Sequence, residues 1–265
     1  MASFTSDGLK IAFNAAGWGD PILFLHGFAA NRNQAWRASG WFDLMDKAGL
    51  DYAAMDHRGH GESDKPHDVE AYTGDKMTAD IINFLDYLKA KKAIVVAHSM
   101  GAMLTLRLLT QYPDRFTTAV LCGVGARMLE KRDDRQIMAE GMTAADAKNI
   151  KDEHALSFRA FAESTNSDKQ ALAACISAAR PAFDEQKLAK IAIPVMVITG
   201  SEDDLSGKPE PLAALIPGAK AVTVEGASHH TIMGDPDFKQ EVLRFLNIRL
   251  KPVMLDDDEE DRWKR

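Results

Sequence analysis

The chain has 265 residues, enough for one large α/β domain with an insertion and a sizeable core. Hydrophobic residues make up 46% and charged residues 27%, an ordinary globular balance, and the net charge of −7 speaks against a general affinity for nucleic acid or anionic membranes. Two cysteines, Cys122 and Cys175, are too few for a disulfide framework and are expected as buried small hydrophobes.

In chain order, residues 1–6 lack the basic and apolar regions of a secretory signal, and no apolar stretch has the length of a membrane span, so a cytoplasmic location is expected. Residues 9–14 form an expected edge strand closed by Gly17 and Gly19. Pro21-Ile22-Leu23-Phe24-Leu25 is a continuous apolar run, the pattern of a strand covered on both faces, and it ends in His26-Gly27-Phe28. Residues 52–55 give a shorter strand, followed by Asp56-His57-Arg58-Gly59-His60-Gly61-Glu62-Ser63. Met77, Ile81, Phe84, Leu85 and Leu88 then recur at helical spacing.

The strand 93–96 runs into Ala97-His98-Ser99-Met100-Gly101 and on to a helical pattern over 103–109. A serine with small residues two positions to either side, between strand and helix, is a nucleophile elbow. The turn is too tight for bulky neighbours, and it presents the hydroxyl at a helix N-terminus, where the dipole favours developing negative charge. Further strands are expected at 119–122, 195–199 and 221–225, and a helix at 235–250 with Phe238, Val242, Phe245 and Leu246 on one face. Strands alternating with helices predict an α/β fold with a mostly parallel sheet. This core comprises residues 1–125 and 190–250.

Residues 126–189 break the rhythm, being rich in alanine and charge without a credible strand, and are expected as a small helical cap over the strand ends. Met128, Met138, Met142, Phe158, Phe161 and Phe183 are expected mostly to pack this cap on the core, with a pocket role for the remainder. The tail 251–265 carries six consecutive acids, 256–261, and is expected to be solvated.

Four blocks in order carry a resemblance to the α/β-hydrolase fold, specifically to small capped esterases, enol-lactonases and meta-cleavage hydrolases. They are Leu25-His26-Gly27-Phe28, the segment 56–63, the elbow, and the late pair Gly200-Ser201-Glu202-Asp203 with Gly226-Ala227-Ser228-His229. The resemblance covers residues 8–125 and 190–248 and implies an eight-stranded sheet flanked by helices. It also implies a catalytic triad of Ser99, His229 and Asp203, with Asp204 and Glu202 as rival acids and His230 as a rival base. A serine hydroxyl is a weak nucleophile near neutral pH and needs such a base and orienting acid. The family's other acid position, after the strand 119–122, holds Gly123-Val124-Gly125 and no carboxylate. By the same resemblance the backbone amides of Phe28 and Met100 form an oxyanion hole, and both side chains touch the acyl pocket. His26, His57, His60 and His98 are expected in structural roles, and His67 and His154 in none.

The expected activity is hydrolysis of a small ester, lactone or thioester through an acyl-enzyme. Alternatives on the same fold are a C–C bond hydrolase, in which Arg159 and Arg180 hold a substrate carboxylate, a perhydrolase, an acyltransferase, and a non-catalytic small-ligand receptor. Dehalogenase and epoxide-hydrolase chemistry need a carboxylate nucleophile where Ser99 stands. No Cys–His spacing suits a metal and no glycine pattern suits a dinucleotide or nucleotide phosphate, so no cofactor is expected. A small-molecule substrate is the expected partner, with the chain as monomer or homodimer.

Overall fold

Asp7 and Gly8, both at positive φ (49° and 76°), turn the chain so that β1 (Ala2–Ser6) pairs antiparallel with β2 (Leu9–Ala16), Ser6 opposite Leu9. Asp-Gly is a strong short-range hairpin signal, because a tight two-residue hairpin turn needs positive φ at both positions. The sequence reading missed β1 and therefore placed the 9–14 strand at the edge. It lies one position in, between β1 and β4 (Tyr52–Met55).

The computed structural model describes residues 2–17, 19–130, 134–178 and 183–250; the acidic tail and Arg180 lie outside the described residues. The eight strands are completed by β3 (Ile22–Leu25), β5 (Ala93–His98), β6 (Phe116–Cys122), β7 (Val195–Gly200) and β8 (Lys220–Val224). Their spatial order is β1-β2-β4-β3-β5-β6-β7-β8, antiparallel through β1–β2–β4 and parallel from β4 to β8. The inner parallel strands β3, β4 and β7 are buried on both faces, which is why they read as apolar runs, whereas the edge strand β8 is largely open to solvent. Leu23, Leu25, Val95, Ala97, Ala119 and Leu121 face α2 (Gly74–Tyr87) and α3 (Met100–Gln111). Ile22, Phe24, Val96, Val120, Met196 and Ile198 face α1 (Trp41–Ala48) and α9 (Pro236–Phe245).

Helix α1 was not singled out from the sequence; Gly40 and Gly49, both left-handed, bound it, and Trp41, Phe42 and Met45 bury its inner face. Helix α9 starts where Asp235 accepts hydrogen bonds from the amides of Asp237 (2.8 Å) and Phe238 (3.2 Å). It ends at Phe245 rather than 250, because Asn247 turns left-handed (φ 54°) and Ile248 N–H bonds back to Leu243 C=O.

Between β6 and β7 the described residues form helical segments, α4 (Arg135–Thr143), α5 (Glu153–Ser164), α6 (Lys169–Ser177) and α7 (Glu185–Leu188), with two short helical turns. The remaining short helix, α8 (Glu210–Ala213), follows β7. Helices α5 and α6 rest on the loops at the carboxyl ends of the strands. Phe158 packs on Phe28, Thr165 Oγ1 donates to Ala29 C=O, and Cys175 Sγ lies 3.9 Å from Met100 Sδ. Met138 and Met142 belong to the core, and Met128 and Phe183 pack against it. Among the described residues no helix is long and apolar enough to cross a membrane.

Arg58 holds the antiparallel corner together. Its guanidinium donates to both carboxylate oxygens of Asp80 on α2 (2.7 and 2.8 Å), to Ala71 C=O (2.6 Å) and to Asp7 (3.2 Å), while Ser6 Oγ donates to Asp80 (2.5 Å). Arg58 and Asp80 are both fully buried, so Arg58→Ala strands a carboxylate away from water. The expected loss is about 3–5 kcal/mol of unfolding free energy, read by urea denaturation. A loss below about 1 kcal/mol would place the pair among interactions no stronger than surface ion pairs.

Candidate active site

Parallel strands deliver their carboxyl ends to one edge of a sheet, and ligands bind there. Leu25 is level with Ala97, Ala97 with Leu121, Leu121 with Val197, and Gly200 with Val224. The loops carrying Phe28, Ser99, Asp203 and His229 therefore emerge side by side. Ser99 sits at φ 52°, ψ −115°, a conformation rare for a residue with a side chain, and it leads directly into α3. Its amide donates to Cys122 C=O (2.8 Å) and its carbonyl accepts from Met103 N–H (2.9 Å), which over-determines the turn. Gly101 has no tolerated substitute: a Cβ there would lie 2.5 Å from the carbonyl oxygen of Leu25.

The loops after β7 and β8 are stitched to each other. Ser201 N–H donates to Val224 C=O, Glu202 N–H to Ala227 C=O, and Gly226 N–H to Ser201 Oγ. His229 Nε2 then stands 2.9 Å from Ser99 Oγ, and His229 Nδ1 stands 2.9 Å from Asp203 Oδ2. The partners define the tautomer: Nδ1 carries the proton toward the carboxylate, and Nε2 accepts from the serine hydroxyl. Asp203 is buried and meets the imidazole, whereas Asp204 and Glu202 are exposed. His230 is exposed and its ring packs on Phe158 and Phe161, with centroids 5.6 and 5.3 Å away.

Two supporting residues were not assigned these contacts from sequence. Ser206 is buried; its hydroxyl donates to Asp203 Oδ2 (2.7 Å) and its amide to Oδ1 (2.9 Å). Burial pushes the Asp203 carboxyl up, but the hydrogen bond and charge of His229 and the two bonds from Ser206 outweigh it and hold the group below the usual carboxylate range. The signal for Ser206 was its place three residues past the acid, the reach of a side chain bonding its own turn. His98, expected only to pack, donates from Nε2 to His229 C=O (3.0 Å) and so fixes the base's backbone.

His26, His57 and His60 cluster beneath Phe28, with centroids 4.5–6.4 Å apart. His26 donates from Nδ1 to Gly27 C=O (2.8 Å) and accepts the His57 amide at Nε2 (3.1 Å). Asp56 anchors the same loop, accepting from the amides of Arg32 (2.7 Å) and Glu62 (2.8 Å) and pairing with the Arg32 guanidinium.

Burial pushes His26 down to about 4, and burial together with the charge of His229 pushes His98 down to about 3. Both lie below the unfolded value near 6.5, so the unfolded chain takes up protons first as pH falls. Stability from these rings is therefore complete above pH 6.5 and is lost between pH 6.5 and the folded values. At pH 5 the expected loss is about 2 kcal/mol for each ring, measured by urea unfolding at pH 7.5 and 5. Unchanged stability across that interval would mean that the rings are not held neutral by the fold.

A cavity of about 120 Å³ opens on Ser99, walled by Phe28, Ala30, Ala35 and Met233 from the sheet-side loops and by Phe158 and Phe161 from α5. Gln34 and His230 add polar groups, and His67 and His154 are not among the lining residues. The Met100 side chain does not reach this wall as expected. It is buried against Cys175 of α6, because α3 turns its first side chain toward the helical segment. Arg159 is likewise not available to a substrate. It is buried and donates to the carbonyls of Gly141, Met142 and Ala144 at the C-terminal end of α4, and to Glu163. Among the described residues no group of three His, Cys, Asp or Glu side chains is placed to hold a metal ion.

A family model described as the alpha/beta hydrolase fold matches residues 20–172. The chain is 27% identical to the non-heme chloroperoxidase CPO-A1 of Kitasatospora aureofaciens, over 92% of this chain and 98% of that protein. It is 34% identical to an epoxide hydrolase of Caballeronia sordidicola, over 42% of this chain and only 33% of the relative. Among solved structures, Est816, described as an N-acyl homoserine lactone degrading enzyme, superimposes with a TM-score of 0.71 at 26% identity, covering 92% of this chain and 99% of that one.

Proposed function

Starting from the chain's membership of the alpha/beta hydrolase fold family, we propose that it is a serine hydrolase that cleaves a carboxylic ester, lactone or thioester through an acyl-enzyme on Ser99. The observation that carries this reading is the continuous line from Ser99 Oγ through both nitrogens of His229 to Asp203, with both contacts at 2.9 Å.

Ser99 Oγ attacks the substrate carbonyl as its proton passes to His229 Nε2. Asp203 holds Nδ1–H and stabilises the resulting imidazolium without taking the proton. The carbonyl oxygen becomes an oxyanion, received by the amides of Phe28 and Met100. Both residues stand three positions past the paired residues Leu25 and Ala97 of adjacent strands, and Met100 opens α3, whose dipole favours the charge. One such donor is worth about 3 kcal/mol of transition-state stabilisation. Collapse breaks the bond to the leaving alcohol or thiol, which takes the proton from Nε2. Water then enters, gives a proton to Nε2 and attacks the acyl carbon; the acid departs and Ser99 Oγ recovers its proton.

The epoxide hydrolase likeness does not carry that chemistry here, since the elbow offers an alcohol and not a carboxylate. Of the two arginines expected to hold a carboxylate in the C–C hydrolase reading, Arg159 is committed to main-chain carbonyls and Arg180 lies outside the described residues. A perhydrolase reading draws support from the likeness to a chloroperoxidase along nearly the whole chain. In it, hydrogen peroxide replaces water in the second step and the product is a peracid.

The test is labelling by a fluorophosphonate together with turnover of short p-nitrophenyl esters. A protein that takes neither the label nor the esters is a binder and not a hydrolase. Peracid formation from acetate and hydrogen peroxide, read by bromination of monochlorodimedone, separates the perhydrolase reading.

A further inference from the structure

The room beside Ser99 is small. Its volume of about 120 Å³ is well below that of ordinary small-molecule pockets, which run roughly 300–1,000 Å³. Three rings limit its extension. Phe158 is wedged between Phe28 (5.7 Å between centroids) and His230 (5.6 Å), and Phe161 covers His230 (5.3 Å). A longer chain must part this cluster, which joins α5 to the loops after β3 and β8.

Among the described residues no Asp, Glu, Lys or Arg lines the cavity. Arginines near lining residues in sequence are engaged elsewhere: Arg159, next to Phe158, by carbonyls at the C-terminal end of α4, Arg32, two residues before Gln34, by Asp56 and Glu62, and Arg37, two residues after Ala35, by Asn33 and the Phe42 ring. An anionic acyl group would lose its water and meet no counter-ion among the described lining residues, a cost that neutral chains escape. The polar side chains beyond the triad and His98 are Gln34, whose oxygen accepts from Asn31 so that its amino group serves as a donor, and the imidazole of His230. Both suit an uncharged oxygen.

We propose that the acyl group transferred to Ser99 is short and uncharged, two to four carbons, and that Phe158, Phe161 and His230 set this limit as specificity-determining residues. The proposal rests on the serine-hydrolase reading: the acyl portion, not the leaving group, must stay inside while water enters.

The experiment compares kcat/KM for p-nitrophenyl acetate, butyrate, hexanoate and octanoate. A second pair, ethyl butyrate against monoethyl succinate followed by acid release, holds the acyl length at four carbons and adds a carboxylate. The expected result is a maximum at acetate or butyrate, at least a tenfold fall by hexanoate, and at least a tenfold penalty for the succinate. Phe161→Ala is expected to move the maximum to hexanoate or beyond. If that variant fails to fold, the wild-type profile decides. Octanoate turned over as well as butyrate, or succinate as well as ethyl butyrate, overturns the proposal. Fluorophosphonate labelling separates the two failures. A labelled enzyme that prefers octanoate loses the size limit and keeps the serine mechanism; an unlabelled protein that turns over none of the esters loses both.

Discussion

Replacing Ser99 by alanine is expected to lower kcat for ester hydrolysis by a factor on the order of 10⁶ while leaving the fold in place. The loss is large because covalent catalysis has no substitute here: the hydroxyl that meets His229 Nε2 is that of Ser99, and without it the imidazole can only activate water. What survives is the contribution of binding and the oxyanion donors, roughly 10³–10⁴ over the uncatalysed reaction. Stability should move little. The hydroxyl makes one hydrogen bond at a half-buried position, worth about 1 kcal/mol net. The strained backbone is common to both residues, and Ala29 already occupies φ 59° in this fold. Initial rates on p-nitrophenyl acetate, with thermal unfolding as the control, check both halves. Activity within tenfold of the wild type would remove Ser99 from the reaction.

The second large effect is expected at Asp203, where asparagine should cost about 10⁴ in kcat. The carboxylate accepts three times: from His229 Nδ1 and Ser206 Oγ at Oδ2, and from Ser206 N–H at Oδ1. Asparagine cannot satisfy all of these. With its oxygen toward the Ser206 amide, its NH₂ faces Nδ1 and forces the proton onto Nε2, which can then no longer accept from Ser99. With the opposite orientation, two N–H donors meet at Ser206. Asp204→Asn, at an exposed carboxylate, should change kcat by less than about threefold. Ser206→Ala falls between, costing about tenfold through one lost hydrogen bond to a charged acceptor. If Asp204→Asn proved more harmful than Asp203→Asn, the acid assignment would be wrong.

Much of the layout was legible in the residue string because its causes are local or periodic. Apolar runs at 21–25, 93–96 and 195–199 can only be strands covered on both faces. The glycine two positions after Ser99 follows from a turn that leaves no room for a Cβ beside the Leu25 carbonyl. The hairpin Asp7-Gly8 was equally local and was overlooked, which cost β1 and the position of β2.

Other features had no local cause. Which of two adjacent acids and two adjacent histidines converge depends on loops stitched by bonds such as Glu202 N–H to Ala227 C=O, between residues far apart in the chain. Arg159 looked free because nothing nearby in sequence announces the three carbonyls it satisfies at the C-terminal end of α4. The pocket's size is set by Phe158 and Phe161 meeting Phe28 and His230, rings brought together from three separate stretches. By itself the sequence determined the sheet, the elbow and the serine, since chain sterics and hydrophobic period act over a few residues. Only the tertiary structure decided that Asp203 and His229, rather than Asp204 and His230, line up with Ser99, that Ser206 and His98 hold them, and how much room is left beside the serine, because hydrogen-bond direction and packing are properties of neighbours in space.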